Sequence, residues 1–93
     1  MENNIEQAYE LTLVLGSQIG DEGAFEELFR RYSPRLRFYV AKMLGERHSQ
    51  TDDVLQETWT SAFRGLPRLN DGAAFRGWLF SIARARVCRE FRR

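Results

Sequence analysis

The sequence predicts an all-α fold, a small bundle of about four to five helices. Three observations carry this. Apolar residues recur at steps of three and four, alternating β-branched runs are missing, and turn residues cut the chain at Gly20-Asp21, Ser33-Pro34, Gly45 and Pro67 to Gly72. Ninety-three residues make one domain, and a composition of 43% hydrophobic and 13% aromatic residues is enough for a real core. No repeat, linker or low-complexity tract interrupts it.

The first segment places Ile5, Ala8, Thr12, Leu15 and Ile19 on one narrow stripe, with Gly16 weakening its middle, so a short or frayed helix is expected. Gly20-Asp21 reads as a stop and an N-cap: the Asp carboxylate can accept from free amides of the next first turn, and Glu22 suits the same dipole end. The following helix puts Phe25, Leu28, Phe29 and Tyr32 on one face. A sharp bend is expected at Ser33-Pro34, because proline lacks the amide needed inside a helix but suits a first helical position after a Ser cap. A new helix from about 34 to 44 then buries Leu36, Tyr39, Val40, Met43 and Leu44. Gly45 ends it, and residues 45 to 50 form a polar connection. Ser49 or Thr51 caps a helix running to about Leu66, where Pro67 stops it. After the turn-rich loop Pro67-Arg68-Leu69-Asn70-Asp71-Gly72, a last helix runs from about Ala73 to the end.

Net charge is only +1, but its distribution is uneven. Residues 1–29 hold seven acids and no Lys or Arg, whereas residues 72–93 hold six Arg against the single acid Glu90. Such asymmetry points to a polyanion or an acidic partner on one side of the molecule. Cys88 is alone, which excludes an internal disulfide and fits a reducing compartment. With no basic-then-apolar leader and no run of roughly eighteen apolar residues, neither secretion nor a membrane span is supported, and a cytoplasmic location is expected. His48 has no triad partner evident in sequence, Cys88 has no nearby base, and no phosphate-binding glycine loop occurs. No catalytic residue, cofactor or metal is therefore expected, and the protein is not read as an enzyme.

At 100° per residue, Val54, Leu55, Thr58, Trp59, Ala62, Phe63 and Leu66 share one half of a helical wheel, while Asp53, Gln56, Glu57, Thr60 and Arg64 share the other. Water or a docking partner would each suit the polar half, and composition alone favours water.

Three segments bear on that choice. They are Gly20-Asp21-x-x-Ala24-Phe25-x-x-Leu28-x-x-x-Tyr32, Asp53-Val54-Leu55-Gln56-Glu57 and Phe75-Arg76-Gly77-Trp78-Leu79-Phe80-Ser81-Ile82-Ala83-Arg84. In order and in register, they resemble region 2 of bacterial RNA polymerase sigma factors of the extracytoplasmic-function group. The likeness runs from about Leu11 to Arg93, nearly the whole chain. It implies that residues 1–93 form a domain that docks on the polymerase core through the beta-prime clamp coiled coil, and that recognises and melts the −10 promoter element in transcription initiation. Residue by residue, it implies core binding by Asp53, Gln56 and Glu57, and DNA contact by Arg68, Asn70, Arg76, Trp78, Arg84 and Arg89. The chemistry is suitable, since ionised carboxylates accept charge-assisted bonds from a partner's Arg and an amide both donates and accepts beside them.

Arg76, Arg84, Arg86, Arg89, Arg92 and Arg93 can hold the phosphates of an opened strand. Arg86, Arg89 and Arg93 nevertheless fall near the wheel sector of Phe75, Leu79 and Ile82, so either the final turns project beyond the core or they fray. Trp78 shares that apolar sector and reads as core before base-stacking platform. The chain departs from the family pattern at Leu69-Asn70-Asp71, at Ala85 and at Arg86, changes that bear on which bases are read rather than on the fold. The resemblance further implies an anti-sigma antagonist, and a second helical domain for the −35 element that this chain lacks, so a fragment of a two-domain protein is expected. The alternative is a sigma-like helical interaction domain that binds no DNA. Neutralising Arg84 and Arg89 discriminates the two, because DNA binding predicts a loss and a steep salt dependence.

Overall fold

A computed structural model describes residues 2–92. Four helices make up the fold: α1 (Glu2–Gln18), α2 (Glu22–Leu44), α3 (Thr51–Gly65) and α4 (Phe75–Phe91). Short 3-10 turns at Gly45–Gln50, Leu66–Arg68 and Gly72–Ala74 connect them, and no strand occurs among the described residues. The all-α bundle expected from the sequence is thus present, with four helices. Arg93, one of the expected cations, lies outside the described residues.

α2 is the central element and packs on α1, α3 and α4. Its buried residues, Ala24, Leu28, Tyr32, Leu36, Val40 and Leu44, form an unbroken ladder at steps of four. The bend expected at Ser33-Pro34 is absent, and α2 is one helix with Pro34 inside it. Pro34 is exposed, on the side of the helix away from the ladder, so the carbonyl that loses its amide partner faces water. The Ser33 hydroxyl donates to the Phe29 carbonyl at 2.5 Å beside it. Six buried side chains outweigh one missing hydrogen bond. Pro34→Ala is expected to raise stability by about 1 to 2 kcal/mol, the restored helix bond being partly offset by a more flexible unfolded chain, and the urea midpoint reports it.

The local signals at the other boundaries are mostly as read. Asp21 Oδ1 accepts from the Ala24 amide at 3.2 Å, and Gly20 and Gly45 take φ of 95° and 57° at the ends of α1 and α2, where a Cβ would be strained. Neither Ser49 nor Thr51 caps α3. The chain enters it from a 3-10 turn, Gln50 occupies the cap position, and the Thr51 amide and hydroxyl both bond the His48 carbonyl, the hydroxyl at 2.6 Å.

α1 is neither short nor frayed: it runs 17 residues. Leu13 and Val14, not the expected stripe, enter the core, and Ile5, Leu15 and Ile19 are 70%, 51% and 88% exposed. Gly16 is where α1 approaches α2 closely; a Cβ there would lie 3.2 Å from that of Ala24. Tyr32 ties the two helices together, its hydroxyl donating to Glu10 Oε1 at 2.7 Å. Burial pushes the Tyr32 hydroxyl far above its ordinary value of 10.0, and the bond and charge of Glu10 add to this, while Arg76 and Arg35 pull the other way. The unfolded chain therefore loses this proton first as pH rises. The stabilisation is complete below about pH 10 and declines above it. Between about pH 10 and 12 the urea midpoint of the wild type is expected to fall more than that of Tyr32→Phe.

Candidate docking face and nucleic-acid interface

α3 buries Thr51, Val54, Leu55, Thr58, Trp59 and Ala62, and the Thr58 hydroxyl is satisfied by the Val54 carbonyl at 2.7 Å. Asp53, Gln56, Thr60 and Arg64 are exposed on the opposite face. Asp53 and Gln56 make no hydrogen bond or ion pair among the described residues. Glu57 differs. Its Oε2 accepts from Arg89 Nη2 of α4 in a close ion pair, with the side chains 41% and 36% exposed. One turn along, Arg86 Nη2 donates to Ser61 Oγ at 2.7 Å. So two of the three expected docking residues project into solvent, while the third is held by an arginine expected to contact DNA.

The arginines of α4 reach this groove for a geometric reason. Its buried residues, Phe75, Leu79, Ala83 and Val87, step by four, and each step advances about 40° around the helix, so the inward face spirals. By the last turns, the sector that holds Phe75 at the start lies against the polar side of α3. Neither account offered for Arg86 and Arg89 holds: the helix neither projects nor frays, but runs to Phe91 packed on α3. Arg47 secures its end, donating to the Glu90 carbonyl at 2.9 Å and lying 5.0 Å from the centre of the Phe91 ring.

Phe63, expected in the core, is 59% exposed and only edges against Phe25, with ring centres 5.1 Å apart. It sits at the boundary of the apolar half-wheel, two turns beyond Gln56, and so adds an aromatic flank to the polar face. Phe29 extends that flank at 44% exposure, its ring 4.9 Å from Trp59. The sequence reading missed both as surface groups, although Phe63 at the very edge of the wheel was a signal.

The expected DNA residues divide as well. Arg68, Asn70, Arg76 and Arg84 are exposed, and the three arginines make no ion pair among the described residues. Arg84 and Arg89 do not share a face; five residues place them about 140° apart. Trp78 is half-buried. Its ring packs 6.0 Å from that of Phe75 and over Gly65, where an added Cβ would meet it at 3.0 Å. The indole is a wall of the loop more than an open platform. Asp71, an exposed carboxylate that repels phosphate, also caps the turn before α4 by accepting from the Ala73 amide at 3.0 Å. Gln18 braces the loop from α1, donating to the carbonyls of Leu66 and Leu69 at 3.0 and 2.8 Å. Among the described residues no cluster of three or more His, Cys, Asp or Glu is placed to hold a metal, and no helix is long and apolar enough to cross a membrane.

A family model described as Sigma-70 region 2 matches residues 28–93, and this span includes the α3 face, the loop and α4. The chain belongs to the sigma-70 region 2 family. Three curated relatives of this region 2 domain illustrate its affinities. The RNA polymerase sigma factor CarQ of Myxococcus xanthus is 38% identical over 64 residues, covering 69% of this chain and 36% of that protein. The RNA polymerase sigma factor NccH of Alcaligenes xylosoxydans xylosoxydans is 35% identical over 75 residues, covering 78% and 40%. The ECF RNA polymerase sigma-E factor of Escherichia coli is 33% identical over 78 residues, covering 84% and 40%. The chain spans about two-fifths of the length of these relatives. No solved structure matches it at a significant level. The extracytoplasmic-function character read from the three sequence segments agrees with the sigma-E relatives.

Proposed function

We propose that this region 2 domain acts in transcription initiation by docking on the RNA polymerase core and by recognising and opening the −10 promoter element, with no catalytic step of its own. The observation that carries the docking half is the split character of α3: one face builds the core, and the other presents exposed Asp53 and Gln56, which make no hydrogen bond or ion pair among the described residues. A beta-prime clamp helix carrying Arg or Lys would satisfy Asp53, and Phe63 would give it an apolar anchor, an arrangement in which aromatic groups supply much of the affinity. Glu57 joins when a partner's cation replaces Arg89.

For DNA, the proposed surface is the loop with Arg68 and Asn70, the exposed Arg76 and Arg84 of α4, and the free edge of Trp78. Cations hold phosphates, and an amide can read an unpaired base edge. Arg89 takes part only after leaving Glu57. A cytoplasmic location and an anti-sigma antagonist belong to the same reading. Pull-down of polymerase core, or of its clamp coiled coil, by the immobilised domain tests docking, and failure of the wild type to capture either sinks it. For the DNA half, Arg84→Gln is expected to weaken binding of a −10 single strand and to reduce the log–log salt slope by about 0.7. A slope that stays unchanged favours the interaction domain that binds no DNA.

A further inference from the structure

The outer side of α2 carries a feature that the terminal arginine run hides. Arg31, Arg35, Phe38 and Lys42 follow one another at steps of three and four, all exposed, with Phe38 at 68%. Each cation lies over an aromatic ring: Arg31 is 4.9 Å from the centre of Tyr9, Arg35 is 5.8 Å from that of Tyr32, and Lys42 is 5.7 Å from that of Phe38. A ring holds a cation in place without cancelling its charge, whereas a carboxylate neutralises it. Arg31 also meets Glu27 at 3.5 Å; Arg35 and Lys42 have no ion pair among the described residues.

This ridge runs into a cleft of about 720 Å³ between α1, α2 and the start of α4, where Arg31 and Arg35 face Arg76. Glu6 and Glu10 stand on the α1 wall, and Glu10 already accepts from Tyr32. Arg76 thus belongs both to the α4 surface and to the ridge, making one basic path from the loop across the cleft and along α2. A four-residue step on a helix is about 6 Å, close to the axial rise of two nucleotides in a stacked strand at about 3.4 Å each.

The geometry points to the outer ridge of α2, Arg31, Arg35, Phe38 and Lys42, joined to Arg76 across the cleft, as a track for a single strand of DNA. Cations follow its phosphates, and Phe38 offers one base a stacking surface. The inference rests on the DNA half of the proposed function and lengthens its surface onto a second helix. The test is fluorescence anisotropy of a labelled single strand of roughly twelve nucleotides with the 93-residue chain, across a salt series. Arg35→Gln/Lys42→Gln is expected to lower the log–log salt slope by about 1.4, and Phe38→Ala to weaken binding about tenfold, with Phe38→Trp binding at least as well as the wild type. Because these side chains are exposed, helicity by circular dichroism is expected to stay unchanged in all of them.

Arg68→Gln/Arg84→Gln separates the ridge from the loop and α4 surface. If that pair weakens the strand while Arg35→Gln/Lys42→Gln leaves slope and affinity unchanged, the ridge falls and the loop and α4 surface stands. If the wild type does not bind the strand at all, both fall. If the ridge variants lose capture of polymerase core but keep strand affinity, the ridge serves an acidic protein and the DNA track is overturned.

Discussion

Asp53→Arg is expected to weaken capture of polymerase core by at least about tenfold, the scale for truncating or reversing one member of a desolvated interfacial pair. The melting temperature of the isolated domain is expected to fall by no more than about 8 °C, because Asp53 is exposed and makes no hydrogen bond or ion pair among the described residues, so that only its favourable place in the first turn of α3 is lost. Glu57→Arg is the less clean variant. It also loses capture, but it sets a new cation against Arg89, so part of its effect is internal. Comparing the two by pull-down and thermal melting separates docking from folding. Equal capture by wild type and Asp53→Arg removes Asp53 from the docking face.

Phe75→Ala should have the largest effect on stability. The side chain is fully buried, its ring lies 5.6 Å from that of Tyr32 and 6.0 Å from that of Trp78, and it sits where α4 starts beneath the loop. Truncation removes the transfer energy of the ring and leaves a cavity that its neighbours close only in part, a loss of about 3 to 5 kcal/mol. Domains of this length hold about 5 to 14 kcal/mol in total, so a large fraction of the variant unfolds well below the wild-type transition. Thermal melting should show a fall of roughly 15 to 25 °C. A fall of only a few degrees would mean that the start of α4 is not anchored by this ring. Any loss of DNA binding in Phe75→Ala is then a folding effect, in contrast to the exposed Phe38.

What could be read from the sequence follows the range of the forces involved. The Asp21 cap, the glycine at the end of α2 and the stop at Pro67 depend on a few neighbouring residues, and they stand where the local pattern puts them. Pro34 was misleading because its cost is local while the ladder that overrides it, from Ala24 to Leu44, draws on three other helices. In α1 the three-four stripe through Ile5 and Ile19 competes with Leu13 and Val14, and only packing against α2 and the loop decides which enters the core. The split of α3 was legible from the wheel, except at its edge, where Phe63 turns outward. The Glu57–Arg89 pair was not, because it spans 32 residues and depends on how α4 crosses α3. The basic ridge of α2 is hard to see in the sequence for a plainer reason: its charges are spread over one helix face, whereas those of α4 crowd together in sequence.

The bond between Glu57 and Arg89 changes the ionic bookkeeping of association. At Asp53 an incoming cation makes a pair where none existed and sheds counterions, so that part of the affinity weakens as electrolyte rises. At Glu57 the newcomer merely substitutes for a resident guanidinium, one attraction exchanged for another, and added electrolyte bears on both sides of the swap alike. Two acids a turn apart on one helix are therefore expected to differ sharply in their sensitivity to potassium chloride.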